Sequence, residues 1–120
     1  MENRNYKLKT HFVHIRLNDE LYNELLHISD ITEVKLPNVL RRLCDLSLDH
    51  WDSLYLNQPD SVLPMIIKPV HPERTITLRL SIRLFDRIKK YMKVYDRNLP
   101  TLVYSLISNG NHLEKERMSA

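Results

Sequence analysis

The chain matches itself, without gaps, at an offset of 63 residues. His11 to Leu46 (HFVHIRLNDELYNELLHISDITEVKLPNVLRRLCDL) lies over Arg74 to Asn109 (RTITLRLSIRLFDRIKKYMKVYDRNLPTLVYSLISN). Six positions are identical: Arg16/Arg79, Leu17/Leu80, Leu21/Leu84, Leu36/Leu99, Pro37/Pro100 and Leu43/Leu106. Others exchange one apolar residue for another, as in Val13/Ile76, Ile15/Leu78, Tyr22/Phe85, Leu25/Ile88, Val39/Leu102 and Leu40/Val103. A unit of about 37 residues falls below the size that normally folds alone, so the two copies are expected to share one core.

Within each copy the apolar pattern changes period. Phe12 to Leu17 alternates, with Val13, Ile15 and Leu17 on one side and Phe12, His14 and Arg16 on the other. Thr75 to Leu80 alternates likewise, Ile76, Leu78 and Leu80 against Thr75, Thr77 and Arg79. Period two with β-branched residues predicts a short strand in each copy, and pairing the two strands removes an unfavourable edge from both. A helix start follows each strand, with Asn18 and Ser81 as N-caps. The spacing of Leu21, Leu25 and Ile28, matched by Leu84, Ile88 and Tyr91, buries one helical face.

A second helix is expected from about Leu36 and from about Leu99, with Pro37 and Pro100 in the first turn, where a missing N–H removes no intrahelical bond. Asn98 suits the cap position of the second copy, and Lys35 at the matching position is a poor cap. The first copy's second helix is expected to reach about Trp51 or Tyr55. Gly110, the only glycine, is expected to end the last helix. The division that follows is a basic arm over 1–11, a first repeat over 12–55, a Pro-rich connector over 56–73, a second repeat over 74–110 and a flexible tail over 111–120.

Hydrophobic content of 42% with 28% charge is ordinary for a globular chain. The longest strictly apolar run, Met65 to Ile67, is far short of the roughly 20 residues of a membrane span. No secretory signal is legible at the N-terminus, and Cys44 alone forms no internal disulfide, so a cytoplasmic location is expected. Net charge is +3, but the second copy carries +6 while the first copy and connector together carry −5. A locally basic module points to a polyanionic partner such as nucleic acid. The alternative is that opposite charges attract within or between molecules.

Strand, helix, helix, repeated once, with polar residues alternating along each strand, resembles the ribbon-helix-helix family, the Arc and MetJ type of DNA readers. The resemblance covers roughly residues 11–50 and 74–110 and implies a mainly α fold with a short two-stranded antiparallel ribbon. Both halves lie in one chain, so it implies an intramolecular pseudo-dimer, similar in layout to the tandem-repeat TraY-type accessory proteins of plasmid conjugation. The implied partner is double-stranded DNA, with further copies of the chain on tandem sites.

Carried over position by position, the base readers are Phe12, His14 and Arg16 from the first strand and Thr75, Thr77 and Arg79 from the second. A guanidinium bonds guanine O6 and N7 in one plane, and threonine offers a hydroxyl or a contact to the thymine methyl. The family also holds phosphate at the start of the second helix, which assigns Lys35 and Leu36, and Asn98, Leu99 and Thr101, to that role. The arm residues Arg4, Lys7 and Lys9 add phosphate contacts.

His11 and His14, three apart on a strand, point to opposite faces and share no metal. Cys44 lies beside the apolar stripe of its helix as a small hydrophobe. No nucleophile with a base, and no pair of acids in a cleft, suggests catalysis, a cofactor or a small-molecule substrate. Two readings follow. One is a sequence-specific DNA binder, either a small transcriptional repressor or a conjugation accessory protein. The other is an antitoxin-like adaptor acting through protein contacts.

Overall fold

Alternation decides the strands. The computed structural model describes residues 11–57 and 74–119. In it, β1 (His11–Leu17) and β2 (Arg74–Leu80) pair antiparallel as a two-stranded sheet. The register sets His14 opposite Thr77, its own counterpart at the 63-residue offset, and works outward to His11 opposite Leu80 and Leu17 opposite Arg74. A free two-stranded ribbon is marginal in water. Here Val13, Ile15, Leu17, Leu78 and Leu80 are buried against the helices, and Ile76 is half-buried.

Among the described residues four helices follow the strands: α1 (Asp19–Thr32), α2 (Leu36–Asn57), α3 (Ile82–Tyr95) and α4 (Leu99–Ser119). The protein is therefore mainly helical. The N-caps act as expected: Asn18 Oδ1 accepts from Leu21 N–H at 2.8 Å, and Ser81 Oγ from Leu84 N–H at 3.1 Å. Both α1 and α3 end on a left-handed residue, Glu33 at φ 58° and Asp96 at φ 55°, again 63 positions apart. Neither is the glycine that such a C-cap favours. The turns are held by main-chain bonds from Val34 N–H to Ser29 O and from Arg97 N–H to Met92 O, both 3.2 Å. Among the described residues no helix is long and apolar enough to cross a membrane.

The core lies where α2 and α4 cross beneath the ribbon, around Val39, Leu40, Leu43, Leu102, Val103, Leu106 and Ile107. Trp51 is fully buried at its edge, its ring 5.2 Å from that of Tyr91 in an edge-on contact and 5.7 Å from that of Tyr95. α2 continues beyond Trp51 to Asn57.

Gly110 does not end the last helix. It has no positive φ, and α4 runs through it to Ser119, so residues expected to form a flexible tail are helical. The glycine serves a close approach instead. A methyl group at Gly110 would press into the Leu43 carbonyl of α2, 3.0 Å from its carbon, and would lie 2.9 Å from Ser47 Oγ. Ser47, the residue matching Gly110 in the first copy, is buried and donates its hydroxyl to Leu106 O. One side chain thus fits the crossing, and Gly110 makes room for it.

Candidate nucleic-acid interface

Because strand side chains alternate, burying one row of the ribbon presents the other row to solvent. Phe12, His14, Arg16, Thr75, Thr77 and Arg79 are all exposed on that outer face. The register arranges them in three cross-strand rows: Phe12 with Arg79, His14 with Thr77, and Arg16 with Thr75. The arginines therefore occupy diagonally opposite corners. In the central row His14 Nδ1 and Thr77 Oγ1 share a hydrogen bond of 2.8 Å whose proton sits on nitrogen or oxygen according to the imidazole tautomer. Neither Arg16 nor Arg79 forms an ion pair with any described residue.

The ends of the ribbon are braced by ring contacts that again match at the offset of 63. The His11 ring stacks on Phe85 of α3 at 3.8 Å, and the Arg74 guanidinium lies 4.6 Å over the Tyr22 ring of α1. Arg74 also pairs with Asp19 at 3.5 Å. Residues 11 and 74 thus hold the ribbon to the helices and leave the six inner positions open.

The proposed phosphate contacts divide. At the start of α2, Lys35 is exposed while Leu36 is half-buried against the core. At the start of α4, Leu99 is half-buried in the same way, and Asn98 is exposed. Asn98 Oδ1 accepts from Thr101 N–H at 3.1 Å, so that main-chain donor is already engaged and Asn98 is a helix cap. Thr101 is half-buried, and its carbonyl accepts from the Ser105 hydroxyl at 3.0 Å. The N–H groups of Leu36 and Leu99 are the first of each helix and have no bond to another described residue. Arg4, Lys7 and Lys9 lie outside the described residues.

Arg41 is a neighbour that pattern reading passed over. One turn into α2, it donates from Nη1 to the Arg79 carbonyl at 2.9 Å and from Nη2 to Asn38 Oδ1. The start of α2 is thereby tied to the end of β2, beside a proposed base reader. The Arg41-Arg42 doublet just after a helix start, where the second copy has Tyr104 and Ser105, was the available signal.

The charge asymmetry between the copies has an internal explanation in part. Arg83, Arg87 and Lys90 of α3 face Asp45, Asp49 and Asp52 of α2. Arg87 reaches Asp45 at 2.9 Å, Asp49 at 2.8 Å and Asp52 at 3.1 Å, Arg83 reaches Asp45 at 3.1 Å, and Lys90 reaches Asp52 at 3.0 Å. Burial works to raise the Asp52 carboxyl, but hydrogen bonds from Tyr91, Lys90 and Arg87 outweigh it and hold the group below the usual carboxylate range. Burial, followed by the Asp52 contact, pushes the Tyr91 hydroxyl up, and burial pushes that of Tyr95 up to about 12. Three of the eight cations of the second copy are thus engaged by acids of α2, while Lys89, Lys93 and Arg97 stay exposed.

Elsewhere, Cys44 is fully buried, and desolvation pushes its thiol far up. Among the described residues no three of His, Cys, Asp and Glu converge as metal ligands. Searched against protein-family models, curated proteins and solved structures, the chain matches none.

Proposed function

We propose that this chain is a sequence-specific double-stranded DNA-binding protein in which two ribbon-helix-helix units of one polypeptide pair as a pseudo-dimer. The β1–β2 ribbon would lie in the major groove, in the service of transcriptional repression or of DNA transfer. The carrying observation is the outer face of the ribbon: six exposed side chains in three rows, with two arginines at opposite corners that pair with no described residue. Two strands about 4.8 Å apart, with their outward side chains, suit a groove about 12 Å wide.

The register adds a spacing. Arg79 sits opposite Phe12, four residues along β1 from Arg16, which is about 13 Å along the ribbon. At roughly 3.4 Å per base-pair step this separates the Cα atoms of the two arginines by about four steps, and each guanidinium would meet a guanine of its own. The rows around them differ, Phe12 beside one arginine and Thr75 beside the other, so the site should be symmetric in its guanines and asymmetric between them.

Selection of bound fragments from random duplex DNA, followed by footprinting, tests the reading. Enrichment of a motif with that guanine spacing supports it. Failure to enrich any sequence, with no retention of duplex at low salt, removes it in favour of a protein-binding adaptor.

A further inference from the structure

The flanks of the molecule correspond in sequence position but not in charge. On one side, Asp45, Asp49 and Asp52 of α2 meet Arg83, Arg87 and Lys90 of α3. The residues matching these at the 63-residue offset are Ser108, His112 and Lys115 of α4, and Glu20, Glu24 and His27 of α1. They form the other flank, where Lys115 Nζ lies 2.6 Å from Glu24 and Asn111 donates to the same carboxylate at 2.9 Å. Lys115–Glu24 is the counterpart of Asp52–Arg87 with both signs reversed. The Lys115 hydrogen bond holds the Glu24 carboxyl below its ordinary range, against the opposing effect of burial.

We infer that this reversal, together with the Ser47/Gly110 crossing, makes each half of the chain complementary to the unlike half and incompatible with a copy of itself. Consider two first halves paired through the same geometry. Asp45, Asp49 and Asp52 of one would face Glu20, Glu24 and His27 of the other on both flanks, with no lysine or arginine to offset them. Two second halves would set Arg83, Arg87 and Lys90 against Lys115. Like charges in direct opposition destabilise, and partner choice rests on such repulsion as much as on attraction.

For two first halves, shape gives the same answer independently of charge. At the α2–α4 crossing, a side chain in the place of Gly110 collides with the Leu43 carbonyl. Two first halves would bring Ser47 to that place from both sides, so their helices would have to separate. A mixed pair has one serine and one glycine, and it alone closes the crossing with the Ser47–Leu106 bond. The partner this surface fits is therefore an unlike half, from the same chain or by exchange with a second copy. Every ribbon so formed carries one β1 and one β2, and its outer face is always the same asymmetric set.

The inference rests on reading the chain as two duplicated units, and cross-linking separates the two ideas. Directly opposed strand residues have Cα atoms about 4.5–5.5 Å apart, within disulfide range. Cys44 is buried and does not compete. The full-length double variant His14→Cys with Thr77→Cys should close an internal disulfide on oxidation, and failure to do so would sink the paired ribbon itself. His14→Cys alone reports like-half pairing, because two first halves would set position 14 against itself.

In the native background this single variant should give no more covalent dimer than a collision control such as Lys89→Cys. Adding Asp45→Lys, Asp49→Lys, Asp52→Lys and Ser47→Gly repels α3, attracts α1 of another copy and opens the crossing, so dimer should rise several-fold. Further adding Arg83→Glu, Arg87→Glu and Lys90→Glu restores the internal flank and should return the chain to monomer with recovered thermal stability. Ready dimer in the native background overturns the inference, as does a reversed α2 that neither dimerises nor loses stability. A loss of folding that the compensating changes do not repair overturns it too.

Discussion

Replacing Gly110 with alanine should destabilise this protein, although the same change in an exposed helix would stabilise it. Alanine gains about 1 kcal/mol over glycine in helix propensity. Against that gain, the new methyl would press on the main-chain carbonyl of Leu43 and stand 2.9 Å from Ser47 Oγ. A serine oxygen can rotate away, whereas a carbonyl within α2 moves only if the helix moves, and α2 is held through fully buried Leu40, Leu43, Leu48 and Trp51. Overpacking of a tight core costs roughly 1–3 kcal/mol, and an obstacle of main chain belongs at the upper end. The net loss is about 1–2 kcal/mol, which for a chain of this size lowers Tm by roughly 4–8 °C. Thermal and urea denaturation followed by far-ultraviolet circular dichroism would measure it. Ser47→Gly in the same background should recover only part, because the carbonyl obstacle stays. A Gly110→Ala protein as stable as the parent, or more so, would refute the close-approach role.

Arg16→Ala and Arg79→Ala should each weaken binding to a selected duplex by about 1–3 kcal/mol and relax base preference at its own guanine, as read by competition titration; unchanged affinity and selectivity in both would remove the groove-reading proposal. Binding should fall steeply as salt rises, because lysine and arginine contacts to phosphate release counterions, and a flat profile would contradict it. Asp52 titrates below its unfolded value, so its stabilising contribution is present above about pH 4 and is lost as pH falls through the folded pKa. Asp52→Asn should accordingly flatten the acid limb of a stability–pH curve, and an unaltered slope would show that the ion-pair cluster does not govern it. Cys44 should react with a thiol reagent only at the rate of unfolding, and rapid labelling in native buffer would contradict its burial.

The strands, the first cap of each half and the outward placement of the six ribbon residues were legible because each depends on neighbours within a few positions. Alternation sets which side of a strand faces out, and Asn18 and Ser81 reach only three residues forward. The left-handed caps at Glu33 and Asp96 were not legible, since neither is glycine and their turns are held by main-chain bonds. The start of α4 was half legible: Asn98 reads as a cap, but that its oxygen occupies the Thr101 N–H is a matter of geometry.

Gly110 shows where local reading stops. By itself, a lone glycine near the end of a helical pattern looks like a terminus; only the distance between α2 and α4, brought together from different halves of the chain, makes it a point of contact. The charges show the same division. Sequence alone determined that the halves carry opposite surpluses, and the duplication alone determined that they are built to one plan. Whether those surpluses face a partner or each other was decided by tertiary packing, which sets the acids of α2 within 3 Å or so of the bases of α3. Coulomb attraction depends on separation in space, and no spacing along the chain encodes that separation until the core has chosen which helices touch.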